Sequence, residues 1–264
     1  MSCVAWKWTP SLLALALFWT PDGLTAAGTN AMPTTTKTGT NAMPTTTNRL
    51  IYKQSFDDGP ATWQVGRKKA EPPNWHKNFL GEHGGGYPLA WEKTGGRSGG
   101  YVSSSSPWWL DDNHPHFMWL QMIAFAYSEQ EKIAGQDLRN ATFRVSVRGR
   151  NVAPQGARLF FWIQGPAGGV MRNWALTYRP IETELLDGAW HDLSLPLPND
   201  ESRWTFMGDG HSLQGGSNTL DQVLGASHID WGFLLCGVQV TNLPTGRIDF
   251  DQIEILQKDE SGRN

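Results

Sequence analysis

Two segments of the chain carry hydrogen-bonding and aromatic side chains at every second position, each set alternating with apolar residues. The polar-face residues are Arg144, Ser146, Arg148, Arg158, Trp162 and Gln164. The apolar sets are Phe143, Val145 and Val147 in one segment and Leu159, Phe161 and Ile163 in the other. Aromatic rings stack on the C–H faces of sugars, and arginine and glutamine hydrogen-bond hydroxyl or carboxylate groups. If both apolar sets point into a core, the opposite face predicts a polysaccharide groove, and the repeated arginines favour an acidic sugar.

The tryptophans provide further candidates, since the chain has 14 Trp against 5 Tyr. Trp108 and Trp109 stand together in the polar segment SSPWWLDDNHPH, and Trp119 and Trp174 follow in predicted strands. A tryptophan in a β-sandwich is more often a core residue than a ligand platform. The Trp108-Trp109 pair is the better candidate, because a polar loop has little reason to hold two indoles unless they dock or bind something.

From about Leu50 onward, short alternating runs are separated by Gly, Pro, Asn and Asp, which is typical of antiparallel β structure. We expect strands at 117–127, 142–147, 158–164, 174–178, 190–195, 229–240 and 247–256, with short ones near Ile51 and Tyr101. About nine strands predict an all-β fold, a two-sheet antiparallel β-sandwich of the jelly-roll type. One helical segment is expected, Ser217 to Leu224, with Asn218 as a candidate N-cap.

Composition and short motifs indicate how the chain is organised outside the predicted β-sandwich. Residues 1–27 are typical of a secretory signal, with Lys7, an apolar run from Ser11 to Trp19, and a small-residue cleavage site at 25–27. Residues 28–49 contain GTNAMPTTT twice and predict a disordered Thr/Pro-rich spacer. The sandwich is expected over 50–258 and a tail over 259–264. The alternative for residues 1–27 is an uncleaved anchor.

Charge and cysteine content narrow the classes of partner. A formal charge of −3 gives no basic field that would attract nucleic acid. No later window offers the roughly 20 apolar residues of a membrane span. Cys236 is the one cysteine after the signal and lies in an apolar run, so we expect a buried thiol and no intramolecular disulfide. The sequence therefore predicts a secreted protein, extracellular or periplasmic, that is monomeric.

Three motifs lie at the ends of the predicted domain: FDDG at 56–59 followed by Trp63, GGRSGGYV at 95–102, and FDQIEI at 250–255. Over residues 50 to 257 the chain resembles the galactose-binding-like β-jelly-roll superfamily, shared by many carbohydrate-binding modules. The resemblance implies a structural calcium where the first and last strands meet. It assigns the carboxylates of Asp57 and Asp251 and the backbone carbonyls of Gly59 and Arg97 as ligands.

Calcium takes six to eight oxygen ligands, from carboxylates and from the carbonyls of glycine-rich turns, which suits this set. Asp58 is the alternate ligand if the register slips by one residue. The alternative interpretation is that FDDG is only a turn and Asp251 a solvated strand residue.

An enzyme of the same fold is the main alternative. Glycosidases need two carboxylates flanking the scissile bond. In the final strand Asp249 and Asp251 share a face, strict alternation puts Glu254 on the other, and Arg247 stands where laminarinase-like enzymes have their first glutamate. His114 with His116 could bind a metal, and Glu182 with Glu184 could form an acid pair if extended.

We therefore expect a non-catalytic, polysaccharide-binding protein with a structural calcium. A glycoside hydrolase or lyase is the alternative, and a protein-docking sandwich is the third class.

Overall fold

The computed structural model describes residues 48–65, 87–106, 109, 120–127, 133, 135–208, 219–227, 230–237 and 242–258. The predicted signal and tail and nearly all of the spacer lie outside these residues. No helix in the described part of the chain is long and apolar enough to cross a membrane.

The described residues form thirteen strands. They are β1 (Asn48–Gln54), β2 (Gln64–Val65), β3 (Tyr87–Pro88), β4 (Ala90–Glu92), β5 (Tyr101–Ser105), β6 (Leu120–Tyr127), β7 (Thr142–Ala153), β8 (Arg158–Ala167), β9 (Val170–Ala175), β10 (His191–Pro196), β11 (Thr205–Gly208), β12 (Asp230–Cys236) and β13 (Thr245–Lys258). Turns of 3-10 helix occupy Glu182–Leu185 and Glu201–Arg203. A short helical segment, Leu220–Gln222, continues as a π turn over Val223–Ser227. It is preceded by Thr219, while the predicted cap Asn218 lies outside the described residues.

The strands form two antiparallel sheets. The first sheet has the order β10-β7-β13-β5-β4, with β1 also paired to β13, and the second has the order β11-β9-β8-β12-β6-β2-β3. Every strand pairing within them is antiparallel. The predicted all-β class, a two-sheet antiparallel β-sandwich, is confirmed.

The core lies between the sheets and is built from alternating residues, as the sequence pattern predicts. The apolar sets of β7 and β8 are both buried in it. Phe143 of the first sheet meets Phe161 of the second at a ring-centroid distance of 4.7 Å, and Phe250 stacks on Phe233 at 4.8 Å. Each such aromatic side chain contributes on the order of 2 kcal/mol by leaving water.

A β-bulge in β13 changes which residues face outward. The register with β7 shifts between Asp251 and Glu254, and Gln252 has a φ of 47°. Before the bulge, Ile248 and Phe250 point into the core; after it, Ile253 and Ile255 do. Because a bulge adds one residue to the alternation, Glu254 comes onto the same outer face as Asp249 and Asp251. The expectation that Glu254 lies on the other face is therefore wrong.

Candidate functional site

A glycine-rich loop, residues 95–100, joins the two ends of the domain. Asp57, just after β1, and Asp251 in β13 both contact it: the Gly100 N–H donates to Asp57 Oδ1 at 3.1 Å and the Arg97 N–H to Asp251 Oδ2 at 2.6 Å. The Gln252 N–H donates to Asp251 Oδ1 at 2.7 Å. In the turn after Asp57, the Gly59 N–H donates to the Phe56 carbonyl at 3.4 Å. The fold thus brings both aspartates and the Arg97 loop together from distant parts of the sequence.

The glycines of this loop are required by close approach. A Cβ at Gly99 would lie 2.1 Å from Asp57 Oδ1, and a Cβ at Gly96 would lie 2.6 Å from Asp251 Oδ2. Real Cβ atoms do not come this close to another heavy atom. The loop backbone therefore packs directly on both carboxylates, which explains the run GGRSGG.

Electrostatics make the loop a candidate cation site. Asp251 is fully buried, and burial raises the pKa of its carboxyl; the neighbouring Asp57 carboxylate raises it further, while the amide hydrogen bonds oppose the rise. A hard divalent cation would relieve this repulsion and finds carboxylate oxygens here. No cluster of three or more His, Cys, Asp or Glu occurs among the described residues, so carbonyl oxygens and water would supply the other ligands.

Beside the loop, the outer face of the first sheet holds an open groove of about 500 Å³, which we call the outer groove. Its polar lining comes from Arg97, Arg144, Ser146, Asp192, Ser194, Gln252 and Glu254. Arg97 donates its Nε to Asp192 Oδ1 at 3.1 Å. Hydrogen bonds from Arg97 and then from Ser146 lower the pKa of Asp192. The groove therefore contains both hydrogen-bond donors and acceptors.

A cluster of arginines continues this face. The fully buried Asp249 carboxylate accepts hydrogen bonds from the Nε atoms of Arg148, Arg150 and Arg247 at 2.9, 2.8 and 2.8 Å. We call these three residues the arginine cluster. Of its members, only Arg148 is a predicted ligand residue. The signal that could have revealed the others is the alternation in RGR at 148–150 together with Arg247-x-Asp249 in the adjacent strand.

Two aromatic rings support the arginine cluster. The Tyr101 hydroxyl accepts from Arg150 Nη2 at 3.0 Å and from Arg247 Nη2 at 3.1 Å. The Arg148 guanidinium lies 4.4 Å from the Trp190 ring centroid and 5.1 Å from that of Tyr101. Cation–π contacts of this kind hold a guanidinium in place. The cluster is a rigid feature of the sheet.

The predicted common surface of Arg144, Arg148, Arg158, Trp162 and Gln164 does not exist. Arg144 and Arg148 lie on the outer face of the first sheet, whereas the other three lie on the outer face of the second, because β7 and β8 belong to different sheets. Both apolar sets face the same core from opposite sides, so the two polar sets point away from each other. This prediction was wrong for a geometric reason that alternation alone does not reveal.

On the outer face of the second sheet, Trp162 is only 2% exposed and belongs to a separate apolar cluster with Phe160 and Leu234. Its Nε1, like Oδ1 of the nearby Asp230, is buried and has no hydrogen-bond partner among the described residues. Burial raises the pKa of Asp230 to about 7. Gln164, opposite Asp230 in the register, donates its Nε2 to Asn173 Oδ1 at 2.7 Å.

Acidic residues at the sandwich edge do not form the acid pair that the sequence allows. Arg158 forms an ion pair with Glu182, and Arg179 donates to Glu184 at 2.7 Å. Residues 182–185 form a 3-10 turn instead of an extended segment. Glu182 and Glu184 therefore serve separate structural ion pairs.

Two predicted ligand tryptophans are core residues. Trp109 is 1% exposed and donates its Nε1 to Ser104 Oγ at 2.7 Å; Trp174 is 3% exposed and donates to Thr219 Oγ1 at 3.2 Å. Because their rings pack inside the sandwich, the predicted ligand contact is wrong for both. Trp108, Trp119, His114 and His116 lie outside the described residues.

Comparison with known proteins adds little to this geometry. No family model matches the chain, and no curated protein sequence matches it. Among solved structures, the L4b domain of human laminin alpha-2 is similar over 65% of this chain and 98% of that domain, with 9% sequence identity and a TM-score of 0.32. At this similarity the match carries no argument about function. The β-sandwich assignment rests on the strand pairings themselves.

Proposed function

We propose that this chain is an exported, non-catalytic, monomeric protein that binds polysaccharide in the outer groove. The groove itself carries the proposal: it is open, lies on the outer face of the first sheet, and is lined by guanidinium, hydroxyl, carboxamide and carboxylate groups. Such a lining complements the paired donor and acceptor character of sugar hydroxyls. The secretory signal predicted from the sequence supports export to a compartment where polysaccharides occur.

The same proposal includes a structural calcium at the glycine-rich loop. Asp57 and Asp251 would supply carboxylate oxygens, with the carbonyls of Gly59 and Arg97 as further ligands. The burial of the Asp251 carboxylate and, to a smaller extent, its repulsion by Asp57 support a cation there, since both raise the pKa of Asp251. The loop borders the outer groove through Arg97, so a bound cation would stabilise one wall of the binding surface.

Polysaccharide affinity tests the proposal. The full chain is incubated with neutral and acidic polysaccharides, with calcium or with chelator, and bound protein and released sugar are scored together. Binding without release is expected. Arg144→Ala, in the groove, should weaken binding by about tenfold, whereas the control Arg203→Ala, at an exposed turn outside the groove, should not. Equal binding by both variants and the parent chain would show that the ligand does not use the groove.

One observation favours the alternative, a polysaccharide-degrading enzyme. Burial raises the pKa of Asp230 to about 7, a value that suits a general acid, and Asp230 lies opposite Gln164 on the outer face of the second sheet. However, its elevation comes from burial alone, with no described carboxylate contributing. Release of oligosaccharides that Asp230→Asn abolishes would establish the enzyme and overturn the binding proposal.

A further inference from the structure

We infer that the arginine cluster is an anion subsite that takes a carboxylate or sulfate group of an acidic polysaccharide. This inference rests on the proposed function, since it names the class of ligand for the same face of the sheet. It also makes a claim of its own, that Arg148, Arg150 and Arg247 bind an oxyanion whether or not that oxyanion is attached to a polymer.

Charge imbalance is the first support. Three guanidinium groups share the single carboxylate of Asp249. Among the described residues, one more carboxylate contacts them: Glu92, which is 3.1 Å from Arg247 Nη2. Counting both acids, one positive charge remains in excess. Like charges held this close are stabilised by a further anion.

Donor geometry is the second support. Each arginine donates its Nε to Asp249, and the Nη2 atoms of Arg150 and Arg247 donate to Tyr101 or Glu92, which leaves Nη1 of these two arginines without a hydrogen bond among the described residues. The side chains of Arg150 and Arg247 are 44% and 28% exposed, so an anion can reach them. Arg148 Nη2 is buried 2.8 Å from Asp249 Oδ2, so Arg148 adds positive charge to the cluster while the accessible donors belong to Arg150 and Arg247. Planar guanidinium groups with free Nη donors match carboxylate and sulfate oxygens.

Rigidity is the third support. Asp249, Tyr101 and Trp190 fix the arginines before any ligand arrives, so binding orders few additional side chains. Arg148 follows the groove residue Ser146 on the same face of β7, about 7 Å along the strand. A polysaccharide lying in the outer groove therefore extends onto the arginine cluster.

The experiment compares three polymers on the full chain: a polyuronate, a sulfated glucan and a neutral glucan. Dissociation constants are measured at 50 and 200 mM salt for three proteins. They are the parent chain, a double variant that combines Arg150→Gln and Arg247→Gln, and the control Arg203→Gln. The inference predicts that one or both acidic polymers bind more tightly than the neutral one. The double variant should lose about tenfold or more of that affinity and keep its affinity for the neutral polymer, and the control should lose neither.

Small anions provide a readout that needs no polymer. Sodium sulfate or a free uronic acid, each compared with sodium chloride at equal ionic strength, should raise the Tm of the parent chain more than that of the double variant, because the general stabilising effect of sulfate is common to both chains. If sulfate and uronate act no more strongly than chloride, the anion subsite is refuted. If they act as expected and no polymer binds, the polysaccharide proposal fails and the anion subsite stands. Equal affinity for acidic and neutral polymers would refute the assignment of an acidic ligand.

Discussion

The buried carboxyl of Asp230 makes the stability of the protein depend on pH in a direction opposite to that of most aspartates. Its pKa rises from an ordinary value of 3.8 to about 7 because burial disfavours the charged form. Between pH 4 and 7 the unfolded chain has lost this proton while the folded chain still holds it. The free energy of unfolding therefore falls as pH rises through this window and levels off above it. At 1.36 kcal/mol per pH unit, the interval corresponds to roughly 4 kcal/mol.

Asp230→Asn removes this titration. Urea unfolding of the parent and variant should be measured from pH 4 to 8 at constant ionic strength. The variant should gain stability relative to the parent by up to about 4 kcal/mol between pH 4 and 7. Any fixed packing cost of the amide cancels in this slope. Asp192→Asn is the control: hydrogen bonds from Arg97 lower the pKa of Asp192, so its titration lies below pH 4 and its stability difference from the parent should stay constant from pH 4 to 8. If the stability difference between Asp230→Asn and the parent stays constant from pH 4 to 8, the burial argument is refuted.

Three other outcomes follow from contacts described in the structure. Gly99→Ala places a Cβ 2.1 Å from Asp57 Oδ1. This variant should therefore lower the free energy of unfolding by about 1–3 kcal/mol and abolish any rise in Tm on adding calcium. Gly225→Ala is the control, because its Cβ would lie 3.7 Å from its nearest neighbour. In Gly149→Ala the added Cβ would lie 2.0 Å from the backbone oxygen of Leu185. Because a backbone atom yields less than a side-chain atom, chemical denaturation should show a larger loss of stability than for Gly99→Ala. A smaller loss of stability would contradict this argument. Burial raises the pKa of the Cys236 thiol to about 12, so alkylation followed by mass spectrometry should be slow in the folded protein and complete in denaturant; rapid labelling of the native chain would show that the thiol is accessible.

The sandwich was predictable because alternation is a local property. Each apolar set needs only a period of two to be recognised, and the sets of β7 and β8 enter the core as expected. Short strands such as β2 and β3 escaped prediction, since two residues cannot display a period. They form because neighbouring strands provide ladder partners.

The candidate site was only partly predictable because it depends on which strands share a sheet. Arg148 and Trp162 have similar local patterns, yet their strands pair with different partners and face opposite sides. The bulge after Asp251 was also not predictable from local sequence. One inserted residue turns Glu254 to the outer face, and nothing in the pattern FDQIEI indicates that a bulge occurs there. The glycine-rich turn GGRSGG, in contrast, was recognisable as a motif, and the structure shows that Gly96 and Gly99 allow the backbone to approach Asp251 and Asp57.

The position of β13 has a consequence for biosynthesis. This strand lies between β7 and β5 and also pairs with β1, yet every other described strand precedes it in the chain. While the polypeptide is emerging from the ribosome, the first sheet lacks its middle strand. The edges of β7 and β5 that pair with β13 in the folded protein then have no partner. The first sheet therefore cannot be completed before residue 258 has been synthesised, and long-range pairings such as that of β1 with β13 favour slow folding. A nascent chain held in this state exposes sheet edges that chaperones recognise and that promote aggregation.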